Sequence, residues 1–159
     1  MNKDSPILLA EDDENDVFFF KRAAQEADLS NPIHVARDGQ ETVDYILGNG
    51  PFIQREIHPL PCLLILDLKM PRKTGLEVLQ WLRKESPLPT LPVIVFSSSA
   101  QPDDIERAYR LGANSFVVKP PSTDMRAEFA RMIKQFWLTF HEPPGHCAGD
   151  TTLTPPALS

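Results

Sequence analysis

The sequence predicts a doubly wound α/β fold built on a five-stranded parallel sheet, and three observations carry that expectation. Five short apolar runs recur, at Ile7–Ala10, Ile33–Ala36, Leu63–Leu66, 93–96 and Ser115–Val118. They are continuously apolar rather than alternating, as central strands are when helices cover both faces of a sheet. Stretches with helical spacing fill the gaps between them. Lastly, all five runs give way at once to polar or charged residues, as strand ends do where a site opens.

The elements follow in order. After the first strand, residues 16–27 place Val17, Phe20, Ala24 and Ala27 at helical spacing. A second helix, 40–47, follows the Asp38-Gly39 turn, and a third opens after Gly75 with Leu76, Leu79, Trp81 and Leu82. Residues 103–111 form a fourth, ended by Gly112 as a C-terminal cap. A fifth spans 122–140, with Phe129, Met132, Ile133, Phe136 and Phe140 on one stripe and Trp137 flanking it, free for an interface. Five β-α repeats make a parallel sheet with helices on both faces. Residues 48–61, with Pro51, Pro59 and Pro61, read as a loop without an element of its own. Residues 143–159 hold Pro143, Pro144, Pro155 and Pro156 among polar residues, and are expected to be a disordered tail after a single domain at 1–142. Three consecutive phenylalanines, Phe18 to Phe20, cannot share one helix face. Partial burial of the extra rings against the long loop is the plain expectation.

A chain of 159 residues has room for one domain with a real core. The net charge of -6 argues against non-specific binding to nucleic acid or to an anionic membrane, which needs excess Lys and Arg. Cys62 opens an apolar run and Cys147 lies in the tail, which suits a reducing cytoplasm better than a disulfide framework. No apolar stretch is long enough to span a bilayer.

The chemistry lies at the carboxyl ends of the strands, where open parallel sheets bind ligands. Strand 1 ends at Asp12 and Asp13, strand 3 at Asp67, strand 4 at Ser97 and strand 5 at Lys119. Each has a plain alternative when taken singly: a solvated helix start for the acidic pair, a turn residue before Pro71 for Asp67, loop filler for Ser97-Ser98-Ser99, a surface lysine for Lys119. Their joint placement on one edge favours function. Crowded carboxylates repel, and a hard divalent cation such as Mg²⁺ with oxygen ligands resolves the repulsion. Asp67 can then act as nucleophile toward a phosphoryl group, with Lys119 offsetting charge on the transferred oxygens.

The full pattern resembles the receiver domain of two-component response regulators, over about residues 5–141. The matching pieces are Glu11-Asp12-Asp13, Asp67-Leu68-Lys69-Met70-Pro71 with Gly75, Ser97 with Ser99, and Gly112-Ala113 leading to Val118-Lys119-Pro120. The resemblance implies a CheY-like, flavodoxin-like (βα)5 fold. It makes Asp67 the phosphoacceptor and gives Mg²⁺ to Asp13, Asp67 and the carbonyl of Lys69, with Asp12 reaching the ion through water. Ser97 and Phe116 become the pair that shifts on phosphorylation, and Lys119 the phosphoryl contact. Ser98, Ser99 and Pro120 line the same edge, and a cis Lys119–Pro120 bond is implied. A narrower likeness, in 48–61, 66–82, the three-serine run and Phe136-Trp137-Leu138, is to the small receivers paired with bacterial phytochrome kinases. It implies a sensor histidine kinase as phosphodonor and a homodimer through the last helices.

Three residues depart from the pattern. The side chain of Lys69 can reach the phosphoryl group or an acidic neighbour, Phe116 lacks a hydroxyl and switches by shape alone, and Pro121 alters the start of the last helix. Two rival functions follow from the residues. A phosphatase acting through an aspartyl phosphate would carry Asp-x-Asp, but Lys69 stands where the second Asp belongs. A receiver-like binding module that is never phosphorylated remains the second.

Overall fold

A computed structural model describes residues 4–142, so the tail and Cys147 lie outside the described residues. The strands are β1 (Ile7–Ala10), β2 (Ile33–Ala36), β3 (Leu63–Leu66), β4 (Val93–Ser97) and β5 (Ser115–Val118). They form one parallel sheet in the order β2-β1-β3-β4-β5. The helices are α1 (Glu14–Glu26), α2 (Gly39–Leu47), α3 (Gly75–Lys84), α4 (Pro102–Arg110) and α5 (Thr123–Met132). The expected doubly wound architecture is therefore the observed one. The chain winds one way from β1 to β2 and the other way from β1 to β3 onward, which opens a crevice at the carboxyl ends.

Strand alternation sorts the core into two layers. Leu8, Ala10, Leu64, Leu66 and Val93 face Tyr45, Ile46, Val78, Leu79 and Leu82 of α2 and α3. Ile7, Leu9, Leu63, Ile65, Ile94 and Phe96 face Val17 and Phe20 of α1 and Phe129 of α5. Phe96 stacks on Phe129 at a centroid distance of 4.8 Å and meets Phe20 edge-on at 6.2 Å. That aromatic layer lies directly beneath the carboxyl-end edge on the α1/α5 side.

Two expectations for the aromatic residues are corrected. After Met132 the last helix continues over Ile133–Phe140 in wider π-type turns, seen in His141 N–H donating to the Phe136 carbonyl five residues back. The wider turns rotate the apolar face, so Phe129, Ile133 and Trp137 form the buried stripe. Trp137 is thus core rather than interface, while Phe136 and Phe140 are 52% and 74% exposed. On α1, Phe20 is buried and Phe18 exposed, but Phe19 packs against α5 rather than the long loop, with the Arg126 guanidinium 5.3 Å from its ring centroid.

Residues 48–61 do contain an element, a 3-10 turn at Gly50–Phe52 that buries Phe52. Arg55 ties this segment to the end of α2, donating to the carbonyls of Tyr45 (2.7 Å) and Ile46 (2.5 Å). Its rings form a cluster with β2: His34, Tyr45, Phe52 and His58 meet at centroid distances of 5.2–6.0 Å. The Tyr45 hydroxyl donates to the Pro59 carbonyl (2.9 Å), so it accepts from His34 Nδ1 (3.1 Å). Burial, then the charges of His58 and Lys21, lower the proton affinity of His34. Below the ordinary histidine value of about 6.5, the unfolded chain takes up a proton that the folded chain refuses. Stability is therefore full above that value and falls as pH drops through the lowered native value. Urea midpoints measured between about pH 8 and pH 5.5 should fall, and His34→Phe should flatten the slope. An unchanged slope in that variant would assign the effect elsewhere.

A second fastening joins α3 to the turn before β5. Arg83 donates to the carbonyls of Gly112 (2.8 Å), Leu91 (2.7 Å) and Pro89 (2.9 Å), and to Asn114 Oδ1 (3.0 Å). Gly112 adopts φ +102°, a region that L side chains rarely enter, and so ends α4 as expected.

Candidate phosphoacceptor site

The site residues stand one position beyond paired strand residues. Asp67 follows β3, its N–H bonded to the Ala10 carbonyl at 3.0 Å, and it is only 6% exposed. By alternation it shares the α1/α5 face with Leu63 and Ile65. Glu11 follows Leu9 on the same face, and Lys119 follows Val117. The three meet: Lys119 Nζ donates to Glu11 Oε2 (2.7 Å), Asp67 Oδ2 (3.1 Å) and Asp16 Oδ2 of α1 (2.8 Å). An ammonium has three protons, and each has a carboxylate partner. The Lys119 ammonium lies over the aromatic layer, with Nζ 6.0 Å from the Phe96 centroid.

The carboxylate set differs from the expected one by a single position. Oxygens of Glu11, Asp12 and Asp67 lie within 4.8 Å of one another, and Asp13 is not in that group. Asp13 is instead the N-cap of α1, its Oδ1 accepting from the N–H groups of Asn15 (2.8 Å) and Asp16 (3.2 Å). The physical reason is the turn itself: β1 ends at Ala10, Glu11 and Asp12 link it to α1, and an extended Asp such as Asp13 is a preferred cap for exposed helix N–H groups. Glu11 and Asp16 are the site residues that strand-end reading overlooked. Extending the alternation Ile7, Leu9 by one residue finds Glu11, whereas Asp16 needs the pose of α1.

Electrostatics follow from the crowding. Burial pushes Glu11 up to about 7, and the charge of Asp67 adds to the rise, against the lowering effect of Lys119. Burial alone would lower Lys119, but its bonds to Asp16 and Glu11 and the charge of Asp67 outweigh that and raise it. The site thus holds more negative charge than one ammonium neutralises. Three close carboxylates with hard oxygen donors fit a divalent cation.

The other expected residues fall around this centre. Ser97 ends β4 fully buried, its Oγ accepting from Ser99 N–H (3.2 Å), while Ser99 Oγ donates to Asp104 Oδ2 of α4 (2.6 Å). Ser98 is exposed. Phe116 packs inward against Leu68, Val95 and Ala108, between β5 and α4. Lys69 is exposed and lines the groove between α3 and α4 with Leu76, Gln80 and Arg107. The Lys119–Pro120 bond is trans, not the implied cis, with the Pro120 carbonyl held by Arg126 Nε at 2.9 Å. Trans is favoured at X-Pro bonds by roughly 0.5–1 kcal/mol.

Backbone closeness fixes the Asp67 loop. A Cβ built on Gly75 would lie 2.2 Å from the Asp67 carbonyl oxygen, and one on Gly39 would lie 1.9 Å from that of Lys73. Arg72 sits at φ +64°, and its guanidinium bonds Asp38 Oδ2 at 2.7 Å while Asp38 Oδ1 caps α2.

A parallel 2-1-3-4-5 sheet with carboxylates, a hydroxyl and a lysine at one switch point defines a signalling receiver. The chain belongs to the response regulator receiver domain family, whose model matches residues 7–130. Among curated proteins it is 32% identical over 142 residues to the probable methanogenesis regulatory protein FilR2 of Methanothrix harundinacea, covering 87% of each chain. Among solved structures it resembles response regulator RPA3017, of red light signalling in R. palustris, at 33% identity and TM-score 0.83. That match covers 88% of this chain and 98% of the other. It also resembles the phosphorylated cyanobacterial phytochrome response regulator RcpA, at 29% identity and TM-score 0.81, covering 89% and 99%. The protein is therefore a receiver-domain response regulator related to regulators of phytochrome signalling. Among the described residues no helix is long and apolar enough to cross a membrane.

Proposed function

We propose that Asp67 accepts a phosphoryl group from a sensor histidine kinase of phytochrome type, and that the modified site switches a partner-binding surface. The observation that carries this is the buried Asp67 carboxylate held by Lys119 at 3.1 Å beside Glu11 and Asp12. An Asp67 oxygen attacks phosphorus of the kinase phosphohistidine. The O–P bond forms as the P–N bond breaks, and the departing imidazole keeps the electron pair and takes a proton from solvent. Glu11, Asp12 and Asp67, with the Lys69 carbonyl, would hold Mg²⁺, which supplies charge neutralisation for the transferred oxygens. Lys119 donates to a phosphoryl oxygen, and Ser97 Oγ is a second donor at the adjacent strand end. Movement of Ser97 toward the new oxygens frees space that Phe116, already packed against Leu68 and Val95, can fill.

Intact-protein mass after incubation with Mg²⁺ and a small acyl phosphate tests this. One phosphoryl group that requires Mg²⁺ and is absent from Asp67→Asn is the expected result. No adduct, combined with no stable beryllofluoride complex in a folded protein, would leave the inert binding module as the function.

Exposed Met125, Phe136 and Phe140 along the last helix support a homodimer formed there. Phe136→Ser with Phe140→Ser should shift sedimentation from dimer to monomer. A wild type that sediments as a monomer at high concentration would remove this reading.

A further inference from the structure

Asp16 lies outside the group of carboxylates suited to a cation, and the transfer chemistry does not require it, yet it takes one of the three protons of Lys119. It is itself held from the other side. Its Oδ1 faces both terminal nitrogens of Arg126 at 3.4 Å, and Arg126 is fixed by the Pro120 carbonyl (2.9 Å) and the Phe19 ring. Asp16 and Arg126 are largely buried, with side-chain exposures of 22% and 15%. Arg126 stands on α5, Asp16 and Phe19 on α1, and Lys119 one residue beyond β5.

From this we infer that Asp16 is a positioning residue for phosphoryl transfer, held in place by Arg126 of α5. The inference rests on Asp67 being the phosphoacceptor. The ammonium of a lysine rotates freely on a flexible stem, so its protons point where acceptors hold them. With Asp16 and Glu11 occupying two, the third is aimed at Asp67, and that proton meets the phosphoryl oxygens as they arrive. The Asp16 charge opposes binding of an anionic donor, so a residue kept there for attraction would have the wrong sign. The bracket also joins the site to α1 and α5 by a path separate from Ser97 and Phe116: Lys119 to Asp16 to Arg126 to the start of α5.

The test is the phosphorylation rate with acyl phosphate at saturating Mg²⁺, in wild type and in Asp16→Asn, each with and without Lys119→Met. Asp16→Asn should lower the maximal rate about tenfold, with little change in the donor concentration for half-saturation. In the Lys119→Met background it should add nothing, because Asp16 acts through Lys119. Arg126→Gln should reproduce the loss, and Arg126→Lys should recover part of it. Thermal unfolding of each variant checks that the fold is kept. A wild type that is phosphorylated normally beside an equally fast Asp16→Asn overturns this inference alone. So does an Asp16→Asn effect that persists in Lys119→Met. A wild type that takes no phosphoryl group removes the function and this role with it.

Discussion

Lys119→Met should cost the metal-free protein about 3–5 kcal/mol of stability, the usual penalty for removing one partner from a buried ionic cluster. Lys119 is 6% exposed at its side chain and serves three carboxylates at once, of which Glu11 is more buried still and Asp67 nearly as buried. Without the ammonium they face one another uncompensated. Part of the loss is met by protonation of Glu11, already pushed up to about 7. Mg²⁺ held by the proposed carboxylate site would replace the missing charge, so a concentration near 100 times its dissociation constant should return about 2.7 kcal/mol. Thermal or urea unfolding with and without Mg²⁺ measures both quantities. A variant as stable as wild type in chelator would show that the lysine carries no net stabilisation there. Phosphorylation should fall about 100-fold even at saturating Mg²⁺, a loss of roughly 2.7 kcal/mol of transition-state stabilisation.

Gly75→Ala should destabilise the protein by about 3 kcal/mol and slow phosphorylation by about tenfold. On intrinsic preference alone, alanine at a helical position gains up to about 1 kcal/mol over glycine. The added carbon, however, would stand 2.2 Å from the Asp67 carbonyl oxygen and 2.7 Å from Leu68 Cα, both backbone atoms. Backbone cannot rotate aside as a side chain does, so either α3 retreats or the Asp67 peptide moves. The Gly75 N–H bond to the Leu68 carbonyl, at 2.9 Å, is strained in either case. Denaturant unfolding gives the first number and the mass assay the second. A stable variant that phosphorylates at the wild-type rate would mean that the loop relaxes without disturbing the carboxylate.

Much of this was legible in the residues. Continuous apolar runs marked β1 and β3 at their observed limits, because strands covered on both faces have no polar positions to blur their ends, and the half-buried edge strands β2 and β5 were marked by mainly apolar runs despite His34 and Ser115. The same runs placed Asp67, Ser97 and Lys119 on the carboxyl-end edge. What escaped were features decided by three-dimensional pose. Asp13 and Asp12 look alike in sequence, and only the point where the strand turns into α1 makes one a cap and the other a site residue. Asp16 belongs to a helix and meets Lys119 across 103 positions of chain. The burial of Trp137 in place of Phe136 depends on wide turns in the last helix, which spacing rules based on 3.6 residues per turn do not anticipate.

The fastening of Arg83 to Gly112 and Asn114 gives α4 a fixed end and a loose one. Its far end is joined to the loop after β4 through Ser99 Oγ, which donates to Asp104 Oδ2 and accepts from the Gln101 N–H. Were the proposed phosphorylation to displace Ser97, the anchored end at Gly112 would favour a tilt of α4 over a slide. Nine residues at about 1.5 Å each make an arm of roughly 13 Å. A tilt of only about 5° then carries its tip through about 1 Å, enough to remake a hydrogen bond while the pivot stays still.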